Sequence, residues 1–293
     1  MPTFASYDGT QLAYRIEGEG EPLICVPGGP GRAGVYLGNL GGLDAHRQLI
    51  ILDNRGTGDS EVPADPSTYR CDKLPLDIEA LREHLGLETI DLLGHSAGAQ
   101  VAVLYATAYP ERVSRLVLVT GAHRTVGVAI DGAYLATCQA RATADTGYVR
   151  AFKSLLSWRD AKTYDEGTPF RKAATPLLYG PWTEAAKAHF AGEDAEFSRA
   201  ANFGYGNGIA LNTVAIRLAL SKFGVPTLVY AGELDPGPTV SEATSVGKCF
   251  PNSRLVVQPG AGHFPWVDDP EFFAASVSQF LAAKSASLQS SRP

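Results

Sequence analysis

The sequence predicts an α/β protein, a mostly parallel twisted sheet with helices on both faces and a helical insertion near the carboxyl ends of its strands. Three observations carry that prediction. Short apolar runs alternate with stretches of helical spacing from Pro22 to Thr120, the pattern of parallel strands joined by right-handed crossovers. That rhythm stops between Ala122 and Lys222, where no strand-like run occurs, and resumes at Val225. Between the two parts of the first block, Gly94-His95-Ser96-Ala97-Gly98 joins an apolar run, Thr89 to Leu93, to an Ala/Val/Leu stretch, Ala97 to Tyr109, with helical character. This is a strand, a sharp turn and a helix.

Taken in order, Leu12, Tyr14 and Ile16 alternate with Gln11, Ala13, Arg15 and Glu17, between Asp8-Gly9 and Gly18-Glu19-Gly20. The period of two predicts a half-exposed antiparallel edge strand in a hairpin. Pro22 to Val26 is uninterrupted and apolar, so it predicts a central strand covered on both faces. Gln48 to Leu52 is the next strand, followed by a loop, Asp53-Asn54-Arg55-Gly56-Thr57-Gly58-Asp59-Ser60, whose short polar side chains favour self-hydrogen-bonded turns. Asp53 and Arg55 are expected to brace that loop. Leu74, Ile78, Leu81 and Leu85 fall at helical spacing, with Gly86 as the left-handed stop. Ser114 to Thr120 is another buried strand. After the insertion, with helical stretches at Thr183 to His189 and Asn212 to Ser221, strands are predicted at Val225 to Ala231 and Ser253 to Gln258, and an amphipathic helix at Phe272 to Leu281. The expected division is a core of residues 1–121 and 223–284, a helical cap of 122–222, and a disordered polar tail of 285–293.

Composition narrows the classes of function. Of 293 residues, 45% are hydrophobic and 19% charged, so one sizeable core is within reach. A net charge of −6 gives no electrostatic reason to expect nucleic acid or an anionic membrane. The start of the chain, Met1 to Asp8, lacks a basic segment and an apolar run, and no stretch approaches the ~18 apolar residues of a membrane span. Cys25, Cys71, Cys138 and Cys249 are scattered, without Cys-x-x-Cys pairs or a neighbouring histidine at metal-ligand spacing. Reduced thiols in a cytoplasmic protein are the expectation.

The chemistry follows from the turn. A serine at the apex of a strained strand-to-helix turn needs small residues two before and two after it, and Gly94 and Gly98 supply them. The turn also sets Ser96 at a helix N-terminus, where the Ala97 N–H and the helix dipole favour developing negative charge. Pro27-Gly28-Gly29-Pro30-Gly31 ends the first parallel strand, and the Gly29 N–H is the second candidate donor for an oxyanion. A serine nucleophile needs a base, and the base an orienting acid. His263, in Pro259-Gly260-Ala261-Gly262-His263-Phe264-Pro265 beyond the last strand, is the candidate base. His46 and His84 fall on solvent faces, His95 is locked beside Ser96, and His123 and His189 belong to the insertion, where surface roles are expected. Asp235, in Gly232-Glu233-Leu234-Asp235-Pro236, is the candidate acid, with Glu233 the runner-up.

These segments, with Asp77-Ile78-Glu79-Ala80-Leu81-Arg82 ahead of the serine strand, resemble those of the α/β-hydrolases, in the branch typified by proline iminopeptidases. The order Ser96, Asp235, His263 is the order of that fold. The resemblance covers roughly residues 20–120 and 225–282. It implies an α/β-hydrolase fold, a cap over the site and no cofactor. Two departures bear on the substrate. Pro27 stands where the family has histidine before Gly-Gly-Pro-Gly, and Arg199-Ala200-Ala201-Asn202 replaces a stretch resembling Arg-x-Glu-Asn, whose glutamate holds a substrate's amino group. Gly-His-Ser-Ala-Gly is also closer to esterases than to the peptidases' Gly-Gly-Ser-Trp-Gly.

The leading expectation is a serine hydrolase of a small ester, lactone or amide, with a small-molecule or short-peptide substrate and a preference for uncharged acyl groups. Trp182, Phe203 and Tyr205 could line an apolar pocket. The alternative is a prolyl aminopeptidase in which Glu184 foremost, or Glu193 or Glu196, replaces the missing anchor. Outside hydrolysis, a ligand receptor or a non-hydrolytic enzyme could use the same fold.

Overall fold

The computed structural model describes residues 1–128 and 133–283. The chain opens with β1 (Thr3–Ala5), β2 (Gln11–Glu17), β3 (Pro22–Val26) and β4 (Gln48–Leu52), then α1 (Leu74–His84), β5 (Ile90–His95), α2 (Ala97–Ala108) and β6 (Val113–Val119). Seven helices come next: α3 (Ala133–Ala144), α4 (Val149–Asp160), α5 (Tyr164–Ala174), α6 (Glu184–Ala191), α7 (Glu193–Glu196), α8 (Arg199–Tyr205) and α9 (Thr213–Leu220). The sheet is completed by β7 (Thr227–Gly232) and β8 (Ser253–Gln258), with α10 (Val240–Gly247) between them and α11 (Pro265–Asp268) and α12 (Pro270–Ala282) after.

The sheet order is β1-β2-β4-β3-β5-β6-β7-β8. β1, β2 and β4 are antiparallel neighbours, whereas β4, β3 and β5 to β8 run parallel. One expectation is corrected here: β2 is not an edge. It pairs with β4 through Tyr14 to Glu17 and with β1 through Gln11 to Ala13, so the short β1 takes the edge. A three-residue strand gives too little alternation to be read from sequence.

In β3, Leu23 and Cys25 point to one side and Ile24 and Val26 to the other, all fully buried, which is why the run is apolar throughout. Ile24 and Val26 join Leu92, Leu116, Ile78 and Val101 in one layer. Leu23 and Cys25 join Leu49, Val117, Leu228 and Phe273 in the other. Each such side chain contributes roughly 1.5–3 kcal/mol by leaving water. The loop after β4 is braced as expected. The fully buried Arg55 donates to both oxygens of Asp77, at 2.9 and 2.5 Å, while Asp53 accepts from the Gly34 N–H at 2.6 Å and Asn54 Nδ2 donates to the Pro27 carbonyl at 3.2 Å.

The segment between β6 and β7 is helical because its polar residues cap: Thr163, Thr183, Ser198 and Asn212 each accept a first-turn backbone N–H. It carries a small core of its own, Cys138, Ala151, Leu155, Ala174 and Leu177. It is joined to the loop after β3 by an antiparallel bridge between Arg32 and Phe197, by Ser198 N–H to the Gly31 carbonyl at 2.8 Å and by Ala33 N–H to the Glu196 carbonyl at 2.9 Å. The expected tail, 285–293, lies outside the described residues. Cys25, Cys71 and Cys138 are buried free thiols and Cys249 is half-buried. Among the described residues no helix is long and apolar enough to cross a membrane, and no cluster of His, Cys, Asp and Glu could hold a metal ion.

Candidate active site

β5 hands the chain to α2 through one residue, Ser96, held at φ 54° and ψ −117°. A non-glycine residue with positive φ is strained, and the surroundings enforce it. A Cβ on Gly98 would run into the Val26 carbonyl and stand 2.7 Å from that of Pro27, and a Cβ on Gly94 would stand 2.7 Å from Ala99 Cα. Gly28 faces the turn as closely, since its Cβ would lie 2.6 Å from the His95 carbonyl and 2.8 Å from Ser96 Cβ. The two glycines around Ser96 are therefore required by contact between β3, β5 and α2.

Ser96 Oγ lies 2.9 Å from His263 Nε2, and His263 Nδ1 lies 2.8 Å from Asp235 Oδ2. The loops after β5, β7 and β8 bring these groups together at the carboxyl end of the sheet. Asp235 is 1% exposed and its other oxygen accepts the Gly237 N–H at 2.9 Å, so one oxygen stays aimed at the imidazole. Glu233 is exposed and accepts the Gly260 N–H at 2.8 Å, away from the ring. Gly29 and Ala97 border the same cavity, and their N–H groups have no acceptor among the described residues.

A second chain of hydrogen bonds runs beneath the first. The Gly28 N–H donates to Tyr36 Oη at 2.7 Å, the Tyr36 hydroxyl pairs with His95 Nδ1 at 2.6 Å, and His95 Nε2 pairs with the His263 carbonyl at 2.9 Å. Because a carbonyl only accepts, His95 donates from Nε2, and with the ring kept neutral by burial its Nδ1 accepts from the Tyr36 hydroxyl. Burial, with the charge of neighbouring His263, holds its pKa well below the ordinary histidine value. The loop after β3, the serine turn and the His263 loop are thus tied through one imidazole. Adjacency to Ser96 marked His95 in the sequence, but nothing there pointed to Tyr36, which lies fifty-nine residues away.

Above these groups is a cavity of about 350 Å³. Its floor is Gly29, His95, Ser96 and His263, and the helical segment contributes Trp158, Arg171, Thr175, Leu178 and Glu193. Trp182, Phe203, Tyr205 and Glu184, expected to bind substrate, do not border it. Trp182 packs on Tyr179 and Phe190, Phe203 is 51% exposed and stacks on Tyr164 and Arg199, and Tyr205 donates to the Ala97 carbonyl at 2.8 Å. The Glu184 side chain is 90% exposed and paired with Lys187. Glu196 is held by Arg32 at 2.6 Å, whereas Glu193, paired with Arg171 at 2.7 Å, does border the cavity. His123 is not on the surface either, being 8% exposed in the cavity wall, and His189 is held between the Tyr179 hydroxyl and the Tyr36 carbonyl.

The family model for the alpha/beta hydrolase fold matches residues 21–270, both flanks of the site included. The chain belongs to the alpha/beta hydrolase fold family. As a hydrolase of that family it is an enzyme, and proline iminopeptidases and esterases are among the proteins that it resembles. It is 27% identical over 303 residues to a proline iminopeptidase of Lactobacillus helveticus, covering 93% of this chain and 95% of that one. An esterase from Rhodococcus sp. ECU1013 superposes with a TM-score of 0.77 at 24% identity, over 97% of this chain and 99% of that one. A proline iminopeptidase from Mycobacterium smegmatis gives 0.74 at 22% identity, over 96% and 97%. These two structures share the fold of this α/β-hydrolase.

Proposed function

We propose that this α/β-hydrolase is a serine hydrolase of small esters, lactones or amides, working through an acyl-enzyme. The observation that carries the proposal is the unbroken chain from Ser96 Oγ through His263 to Asp235, at 2.9 and 2.8 Å, opening on the cavity. Ser96 Oγ attacks the acyl carbon while His263 Nε2 takes its proton, and Asp235 keeps Nδ1 protonated and stabilises the imidazolium. The carbonyl oxygen gains negative charge beside the free N–H groups of Gly29 and Ala97, at the N-terminus of the twelve-residue α2. His263 then protonates the leaving group, and water, activated by the same nitrogen, releases the acid from Ser96.

A fluorophosphonate probe tests the nucleophile directly. Wild-type protein should be labelled on the peptide containing Ser96, and Ser96→Ala should not be labelled. Wild-type protein that stays unlabelled at a saturating probe concentration would point to a receptor or a non-hydrolytic enzyme and end the proposal.

One observation favours release of N-terminal proline as a second reading: Glu193 Oε2 is buried at the cavity wall without a hydrogen-bond partner among the described residues. An ammonium group could meet it there, though Arg171 already holds the other oxygen. Under this reading proline naphthylamide is turned over at ~10⁴ M⁻¹s⁻¹ or more, as suits a physiological activity, and Glu193→Gln removes most of that rate. Under the first reading the nitrophenyl esters are turned over and proline naphthylamide, with its charged amino group, is not.

A further inference from the structure

One wall of the cavity is polar and unpaired. After β6 the chain turns through Thr120 and Ala122, both at positive φ, which sets Gly121 against the backbone of Ser96 and delivers His123 and Arg124 to the cavity. His123 is more than nine-tenths buried, and its Nδ1 has no hydrogen-bond partner among the described residues. Arg124 is exposed to the cavity and makes no ion pair or side-chain hydrogen bond with a described residue. Gln100, one turn into α2 from Ser96, accepts from Thr125 Oγ1 at 3.5 Å through its oxygen and leaves its amide N–H groups unused among the described residues. The other two guanidinium groups at the cavity are neutralised, Arg32 by Glu196 and Arg171 by Glu193.

We propose that this wall binds a carboxylate, so that the preferred substrate is an ester or lactone carrying one besides the bond that is cleaved. The proposal rests on the serine-hydrolase reading and names its substrate class. A carboxylate suits the donors present: a guanidinium presents a fork of N–H groups, a neutral imidazole one N–H, and a side-chain amide two. An ammonium group would meet Arg124 with like charge, and a purely apolar group would leave these donors without partners. The uncharged acyl group expected from Ala201 gives way to these donors, because Ala201 is buried beside Tyr205 in an adjoining crevice and does not border this cavity.

The test uses two matched pairs of esters with the full chain, each corrected for spontaneous hydrolysis. In the first pair, nitrophenyl pentanoate against the mono-nitrophenyl ester of glutaric acid, the carboxylate is on the acyl side. In the second, phenyl acetate against carboxyphenyl acetate, it is on the alcohol side. At low salt, kcat/KM for the anionic member of at least one pair should exceed that of its neutral partner by about tenfold, the scale of one charge-assisted hydrogen bond in a partly solvated site. The ratio should shrink at high salt, approach one in Arg124→Met and survive in part in Arg124→Lys. Ser96-dependent turnover with both ratios at or below one would overturn the carboxylate assignment alone, as would a ratio that Arg124→Met leaves unchanged. If no ester showed Ser96-dependent turnover, the serine-hydrolase reading itself would fall.

Discussion

Asp235 and Glu233 leave the same strand two residues apart, and burial distinguishes them. The Asp235 carboxylate is sealed against the His263 ring, and that of Glu233 faces solvent and the Gly260 N–H. Asp235→Asn keeps the size of the side chain but favours the wrong imidazole tautomer, which costs up to about 10⁴-fold in kcat when the acid of a serine triad is changed this way. Glu233→Gln should leave kcat within a few-fold of wild type. Steady-state kinetics of the two variants on one nitrophenyl ester decide the point, and the reverse ranking would exchange their roles. In the sequence both carboxylates follow the strand and both suit a loop. Only the path of the turn, with Asp235 N–H bonded back to the Gly232 carbonyl at 3.3 Å, separates them.

Among elements, the turn between β5 and α2 is tightly constrained. Gly98→Ala places a methyl against the Val26 and Pro27 carbonyls, backbone atoms that cannot swing aside. Overpacking of this kind costs about 1–3 kcal/mol, a fall of roughly 2–10 °C in Tm for a chain of this size. Gly224→Ala is the matched control, because its Cβ meets nothing within 4 Å, and its Tm should stay within about 1–2 °C of wild type. Thermal denaturation of both variants separates strain from glycine loss as such. This element was legible in the sequence because its constraints are local, namely small residues at fixed offsets between an apolar run and a helix. The central parallel strands were legible for the same reason, each being a buried run ended by a turn. The helical segment was legible as helices but not in its orientation, since which face of a short helix meets the cavity depends on its neighbours. Trp182, Phe203 and Tyr205 are aromatic enough to line a pocket, yet Tyr179, Arg199 and the Ala97 carbonyl hold them elsewhere. His123 gave no signal either, because a buried imidazole and an exposed one look alike in sequence.

For the whole molecule the buried titratable groups set how stability depends on pH. His123 and His189 are each held down to about 4, by burial first and then by Arg124 and Arg32 respectively, and His95 is lowered as well. Between about pH 6.5 and 4 the unfolded chain therefore binds protons that the folded chain refuses, so these groups make stability rise with pH across that window. Asp268 acts in the opposite sense. Burial raises it to about 6, so the folded state binds its proton more tightly and its contribution falls as pH rises from about 4 to 6. Burial raises Asp53 and Asp77 in the same sense as Asp268, against the lowering hydrogen bonds that each accepts. The three histidines span the whole window, so Tm should increase from pH 4 to 6.5, and Asp268→Asn should steepen that limb by removing one of the opposing groups. A profile at constant ionic strength that is flat or declining over this range, or unchanged in slope by the variant, would contradict the assignment.

The seam between Gly31-Arg32-Ala33 and Glu196-Phe197-Ser198 fastens the helical segment to the loop after β3. The strip of backbone that fastens the helical segment to the core runs through Pro30 into Gly29, whose N–H is the proposed oxyanion donor, and Asn202 Nδ2 grips the intervening Pro30 carbonyl at 2.8 Å. A guest that pries α7 and α8 outward thus pulls on the donor at the same moment. An oversized substrate would then pay in turnover rather than in affinity alone, and the chamber would measure its contents by how well it lets them react.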